Sequence, residues 1–239
     1  KVLLAQINTI VGDIDGNLRR SLEAYEEARA RGADLMVLPE QTLPGYPAKD
    51  MLTLRQFIKR NEDAARKFAE ATANGPAAII GFAEMRETTG KGLYNAAAFC
   101  QGGKIEAVYR KRLLPTYDVF DEDRYFSEGQ DTCVVNVNGV PVGITICEDM
   151  WSDSLYWSHH LYSADPITET ASAGARVVVN LSASPYTMEK AVVRRELACN
   201  AARRTGLPLM IVNLAGANDD LVFDGRSLAV DGGGEIAAR

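Results

Sequence analysis

The sequence predicts a single α/β domain in which antiparallel hairpins accompany alternating strands and helices. Short apolar runs typical of buried strands alternate along the 239 residues with amphipathic runs at helical spacing. The length suffices for one well-filled core. Neither an internal repeat nor a low-complexity linker divides the chain, so we predict one domain over residues 1–239.

The elements follow from the apolar patterns and from the turn residues between them. Single strands are predicted at residues 2–8, 33–40, 77–84, 175–184 and 207–216. Hairpins are predicted at residues 93–111, 133–147 and 226–238. The second hairpin turns at Asn138-Gly139, a sequence that favours a type I′ turn. Helices are predicted at residues 17–32, 52–75 and 188–206.

Composition excludes several classes of protein. Hydrophobic residues make up 46% and charged residues 24%, which is ordinary for a soluble globular domain. The net charge of −6 and the lack of a basic patch argue against a nucleic-acid partner. No apolar stretch approaches the roughly 20 residues of a membrane span, and the first residues lack a signal-peptide layout. The four cysteines form no CxxC or pairing motif, so we expect a reducing cytoplasm.

Three reactive side chains come at or just after the ends of predicted strands. Glu40 follows the strand at residues 33–40, Lys111 ends the first hairpin, and Cys147 ends the second. In open α/β sheets, ligands bind at the carboxyl ends of the strands. These residues are far apart in sequence, but we expect them to meet at one rim.

Two interpretations of Cys147 are open, a buried structural side chain and a nucleophile. A free cysteine is most often a buried small side chain, but this one closes the run GITIC (143–147) and precedes Glu148 and Asp149. A thiol at a strand end beside charged residues favours a nucleophile, although the adjacent acids disfavour its thiolate. The remaining cysteines lie within strand or helix patterns and are interpreted as buried side chains: Cys100, Cys133 and Cys199.

The base for such a thiol has two candidates. One is a histidine, and the chain has only the adjacent His159 and His160, too few to favour a metal site. The other is Glu40, which is either a solvated loop residue or a base whose pKa is raised in a dry pocket. Lys111 lies in a basic run that is either a solvated face or the source of a cation for an oxyanion.

Together, the motifs LPEQTLPGYP (38–47), YRKRLLPTY (109–117) and GITICEDMW (143–151) resemble those of the nitrilase (carbon–nitrogen hydrolase) superfamily, and the resemblance covers nearly the whole chain. With NLSASPY (180–186), they are most similar to the glutaminase domains of glutamine-dependent NAD synthetases. The resemblance implies a nitrilase-like αββα sandwich that pairs through its helical face, so a homo-oligomer is expected.

The resemblance also assigns roles. It implies that Glu40 is the general base, Lys111 stabilises the oxyanion and Cys147 is the nucleophile. Glu122 is a second carboxylate that positions the lysine, and the backbone N–H of Glu148 completes the oxyanion hole. The implied substrate is L-glutamine, and its contacts map onto Tyr117, Glu148, Trp151, Ser184 and Lys190.

No metal or organic cofactor is expected for the amide hydrolysis. ATP and Mg²⁺ belong to the synthetase domain of the family, and no SGGxDS-type loop occurs in this chain. The sequence therefore predicts either an amidase domain that serves a synthetase partner or a stand-alone amidase for another small ω-amide or carbamoyl compound. A catalytically silent interaction domain is the third hypothesis.

Overall fold

The computed structural model describes residues 1–86, 92–153 and 162–239. The α-helices in these ranges are α1 (Ile14–Ala30), α2 (Arg55–Ala71), α3 (Pro166–Ser172) and α4 (Lys190–Thr205). The first strands are β1 (Val2–Leu4), β2 (Leu35–Val37), β3 (Ala77–Met85), β4 (Leu93–Gln101) and β5 (Lys104–Arg110). The next are β6 (Cys133–Val137), β7 (Val140–Ile146), β8 (Val177–Ser182) and β9 (Leu209–Asn213). The last are β10 (Ala215–Asn218), β11 (Leu221–Asp224), β12 (Leu228–Val230) and β13 (Ile236–Ala238).

Two sheets form the centre of the domain. The first has the order β1-β2-β3-β4-β5, parallel from β1 to β3 and antiparallel from there to β5. The second has the order β13-β12-β9-β8-β7-β6, with β7, β8 and β9 parallel. The predicted hairpins are confirmed as β4–β5, β6–β7 and β12–β13. Asn138 and Gly139 both have positive φ, as a type I′ turn requires.

Apolar side chains fill three layers between these elements. Tyr25 of α1 and Phe68 of α2 pack on the outer face of the first sheet. Ile79 and Ile144 belong to the layer between the two sheets. Leu197 of α4 belongs to the layer that covers the outer face of the second sheet. The order helices, sheet, sheet, helices confirms the αββα sandwich.

Helix ends follow their local chemistry. Asp13 caps α1 because its side chain accepts a hydrogen bond from the N–H of Gly16 at 3.0 Å. α4 ends at Gly206, whose φ of 71° is a left-handed conformation that glycine adopts at little cost.

The elements differ from the sequence predictions mainly at their ends. The helix predicted at 52–75 is shorter because 3₁₀ turns, Lys49–Thr53 and Thr72–Asn74, flank α2. The strand predicted at 33–40 stops early because Pro39 has no N–H to continue the ladder. The sequence analysis missed α3 and the hairpin β10–β11. Within the described ranges, no helix is long and apolar enough to cross a membrane.

Candidate active site

The strand ends bring the three predicted catalytic side chains into one buried region. Lys111 directly follows β5, Cys147 directly follows β7, and Glu40 lies three residues beyond β2. Their exposed fractions are 0%, 3% and 1%. The interpretation of Glu40 and Lys111 as solvent-exposed residues is therefore wrong, and both charged groups are shielded from water.

Lys111 is the cation of a buried ion cluster. Its Nζ donates to Oε1 of Glu40 at 2.8 Å and lies 2.8 Å from both carboxylate oxygens of Glu122. Burial alone would lower the pKa of Lys111, but Glu122 and Glu40 outweigh it and raise that pKa well above its ordinary value. The amine is therefore protonated at neutral pH, as an oxyanion-stabilising group must be.

Glu122 is the second carboxylate that contacts Lys111, and its role in positioning the lysine stays a prediction. Tyr46 donates a hydrogen bond to Oε1 of Glu122 at 3.0 Å. Burial raises the pKa of Glu122 to about 7, because desolvation of the carboxylate outweighs the stabilisation by Lys111. This carboxyl therefore exchanges its proton near neutral pH.

Glu40 is fixed by donors from two other elements. The N–H of Ala183 donates to its Oε2 at 2.9 Å, and Nδ2 of Asn95 donates to its Oε1 at 2.7 Å. Asn95 also donates to Oε2 of Glu122 at 3.3 Å, so one amide bridges the two carboxylates. The sequence analysis missed Asn95, although an amide inside the buried strand β4 was an available signal.

A glycine of β3 makes room for the loop that carries Glu40. A Cβ at Gly81 would lie 2.4 Å from the carbonyl oxygen of Pro39 and 2.4 Å from the backbone nitrogen of Gln41. Both distances are shorter than real Cβ contacts, and backbone atoms cannot move aside as a flexible side chain would. The absence of a side chain at this position lets the loop cross the sheet and reach Lys111.

Cys147 begins a short 3₁₀ helix, Cys147–Met150, that turns the chain sharply after β7. Its φ of 41° lies in the left-handed region, which is uncommon for a residue with a side chain and is often found at functional sites. Burial and the carboxylate of Glu40 raise the pKa of the thiol, and Lys111 lowers it only in part. The thiol is therefore neutral at rest, and its attack requires a base.

Asp149 joins this turn to the end of β5. Its Oδ2 accepts from the N–H of Ile146 at 2.8 Å and from the hydroxyl of Tyr109 at 2.7 Å. Its Oδ1 accepts from the N–H groups of Arg112 and Leu113 at 3.2 and 3.0 Å. One carboxylate thus holds the residues that flank both Cys147 and Lys111.

Glu148 forms a buried acceptor beside the nucleophile. The hydroxyl of Tyr117 lies 2.9 and 3.1 Å from its two carboxylate oxygens. The hydroxyl of Tyr162 donates to Oε1 at 2.9 Å, a contact that the sequence analysis missed because the surrounding aromatic segment shows no pattern. Burial raises the pKa of Glu148, against the opposing effects of Lys111, the two hydroxyls and Lys190.

The remaining predicted substrate contacts are Lys190, Trp151 and Ser184. Nζ of Lys190 lies 5.4 Å from the ring centroid of Trp151 and 4.8 Å from that of Phe120. Burial lowers the pKa of Lys190, although Cys147 and Glu148 oppose the shift. The Oγ of Ser184 is buried without a hydrogen-bond partner among the described residues.

The other cysteines differ from Cys147 in their surroundings. Cys100 is fully buried, and burial raises the pKa of its thiol to about 12. Cys133 and Cys199 are only partly buried, so their interpretation as buried side chains is wrong. Partial burial still raises the pKa of Cys133. The two histidines considered as alternative general bases, His159 and His160, lie outside the described residues.

Comparison with known proteins decides the family. The carbon–nitrogen hydrolase profile matches residues 1–239. The chain belongs to the carbon–nitrogen hydrolase family. This hydrolase is 40% identical to the glutamine-dependent NAD(+) synthetase of Synechocystis sp., a match that covers 100% of this chain and 43% of that protein. It is also 40% identical to the synthetase of Thermotoga maritima, over 99% of this chain and 39% of that protein.

Solved structures of an NAD synthetase and of an amidase share the fold of this hydrolase. The glutamine-dependent NAD+ synthetase of Acinetobacter baumannii superposes with a TM-score of 0.89 at 33% identity, covering 99% of this hydrolase and 42% of that chain. A nitrilase-superfamily amidase from Nesterenkonia superposes with a TM-score of 0.81 at 20% identity, over 98% of this hydrolase and 84% of that chain, and shows the fold alone. This hydrolase therefore spans about two fifths of the synthetases that it matches.

Proposed function

We propose that this carbon–nitrogen hydrolase cleaves the side-chain amide of L-glutamine and releases ammonia for the ATP-dependent amidation of deamido-NAD in a synthetase partner. One observation carries the choice of glutamine. A buried carboxylate, Glu148, and a half-buried ammonium, Lys190, lie close enough to shift each other's pKa, and both lie close enough to the thiol of Cys147 to interact with its charge. Charges of both signs suit a substrate that carries an α-ammonium and an α-carboxylate.

The proposed reaction proceeds through a thioester. Sγ of Cys147 bonds to the amide carbon as Glu40 takes the thiol proton, and Lys111 with the N–H of Glu148 stabilises the oxyanion. Glu40 returns the proton to the leaving nitrogen, the C–N bond breaks and ammonia departs. Water, deprotonated by Glu40, then cleaves the γ-glutamyl thioester and restores the thiol. The proposal assigns no metal or organic cofactor to these steps.

Three observations support these roles. The raised pKa of Cys147 calls for a base, and Glu40 is the carboxylate that most strongly raises it. Lys111 is protonated and held by two carboxylates. The reaction that consumes the ammonia is proposed by analogy with the relatives. These are named as glutamine-dependent NAD(+) synthetases and are more than twice as long as this chain. A synthetase partner and a homo-oligomer stay predictions.

Mass spectrometry of the protein mixed with glutamine tests the chemistry. The wild type should carry a γ-glutamyl thioester on Cys147. In Glu40→Gln the thioester should form at least about a hundredfold more slowly, since loss of a general base typically costs about two to four orders of magnitude. Cys147→Ala should not turn over glutamine, whereas Cys100→Ala, buried elsewhere, should keep activity. Thioester formation by Glu40→Gln at the wild-type rate would remove Glu40 as the acylation base.

A panel of small amides tests the substrate. We expect glutamine to be turned over faster than amides or carbamoyl compounds that lack its α-ammonium and α-carboxylate. Preference for another small amide would favour the stand-alone amidase. A folded wild type that turns over none of the amides in the panel would favour the silent interaction domain.

A further inference from the structure

Glu148 is held by two tyrosines from different parts of the chain. Tyr117 lies in the loop after β5, and Tyr162 precedes α3, yet both hydroxyls lie 2.9 Å from the same oxygen, Oε1. Tyr117 is the family-based prediction, whereas no sequence motif pointed to Tyr162. The second hydroxyl therefore needs an explanation of its own.

The two hydroxyls leave Glu148 able to accept further donors. A carboxylate offers about four lone-pair positions, and two hydroxyl protons occupy two of them. Both hydrogen bonds favour the ionised form of the carboxylate, and both fix its orientation. Since Glu148 is only 2% exposed, water cannot replace a lost donor as readily as it would at the surface.

We propose that Tyr162 is a specificity-determining positioning residue, which holds the Glu148 carboxylate so that the site selects amides bearing an α-ammonium group. This inference rests on the proposed function, in which Glu148 receives that ammonium. Tyr162 itself does not contact the reacting atoms. Its effect reaches the substrate through Glu148 and is confined to substrates that carry the positive charge.

Two substrates separate this role from a general structural one. Glutaramate is glutamine without the α-amino group, so it presents the same amide and the same carboxylate. In Tyr162→Phe we expect kcat/KM for glutamine to fall about tenfold. This is the lower end of the effect expected for losing a hydrogen bond to a charged group, because the hydrogen bond from Tyr117 remains. For glutaramate it should stay within about twofold. The glutamine loss should appear in KM with kcat nearly unchanged, because Tyr162 orients Glu148 for binding and a bound ammonium faces Glu148 in the variant as it does in the wild type.

Tyr125→Phe is the matched control. The hydroxyl of Tyr125 donates to Oδ1 of Asp50 at 2.7 Å, so it is also a tyrosine–carboxylate pair, but its carboxylate is exposed and is not Glu148. This variant should keep wild-type kinetics with both substrates. Equal losses for both substrates in Tyr162→Phe, or an unchanged ratio, would overturn the inference.

A double-mutant cycle provides a second, independent test of whether Tyr162 acts through Glu148. If Tyr162 acts through Glu148, then adding Tyr162→Phe to Glu148→Gln should change the glutamine kinetics by less than about twofold. Independent, additive losses would overturn the inference. The wild type separates the two proposals: a wild-type enzyme that does not prefer glutamine to glutaramate overturns the proposed function as well. A wild type that does prefer it, with a variant that keeps the ratio, overturns the inference alone.

Discussion

Asp149→Asn is expected to destabilise the domain and to slow catalysis, because one carboxylate joins the two segments that carry Lys111 and Cys147. The wild-type carboxylate accepts four hydrogen bonds, from three backbone N–H groups and from the hydroxyl of Tyr109. An asparagine has one acceptor oxygen, and its NH₂ group would face two of those donors. Two buried hydrogen bonds are therefore lost.

The magnitude follows from these contacts. A hydrogen bond to a charged acceptor contributes about 1.5–3 kcal/mol, so losing two costs about 3–6 kcal/mol. Relief of desolvation offsets part of this cost, since burial raises the pKa of Asp149. We therefore expect a loss near the lower end, about 3 kcal/mol of the free energy of unfolding. For a chain of this size that corresponds to a fall in Tm of roughly 6–12 °C.

Thermal and urea unfolding of purified protein would measure this loss, and Tyr109→Phe provides a graded comparison. Removing the tyrosine hydroxyl deletes one donor and should cost less than the change at Asp149. Glutamine turnover of the folded Asp149→Asn protein should also fall, because the cation and the thiol lose their common anchor. Unfolding free energies within about 1 kcal/mol of each other for wild type and Asp149→Asn would refute the reasoning.

Two further predictions concern the ion cluster. Gly81→Ala should lower kcat and stability because its Cβ would clash with the loop that carries Glu40. Gly92→Ala, whose Cβ would meet no described residue within 4 Å, should change neither when both variants are assayed side by side. Because the pKa of Glu122 is about 7, this carboxyl gains a proton and its contact with Lys111 loses a charge as the pH falls through that value. We expect kcat/KM for glutamine to fall below about pH 7 and this limb to be missing in Glu122→Gln; the same limb in both pH profiles would contradict the assignment.

The sequence carried enough local pattern to predict the strands whose ends form the site. Alternating apolar runs fix where β5 and β7 end, and the residues that follow them are Lys111 and Cys147. Their convergence needs only the rule that active sites lie at the carboxyl ends of strands. The motif resemblance supplied Glu122, which no periodicity would have selected from an acidic loop.

The missed residues depend on contacts between distant elements. Tyr46 reaches Glu122 across 76 positions in the sequence, and Asn95 reaches Glu40 across 55. Neither pairing has a local signature. α3 escaped prediction for a different reason, because a helix of seven residues is too short to show an amphipathic period, although Asp165 and Pro166 are good initiation residues.

The acids around Cys147 have a consequence for activation. Glu40, Glu148 and Glu122 all raise the pKa of the thiol, and Lys111 alone among the named neighbours lowers it. The resting thiol is therefore protected from forming a thiolate that would react without substrate. If Glu148 binds the α-ammonium of glutamine, as proposed, the substrate neutralises one of these carboxylates. Binding of the correct substrate then lowers the cost of removing the thiol proton, so recognition and activation act through the same side chain.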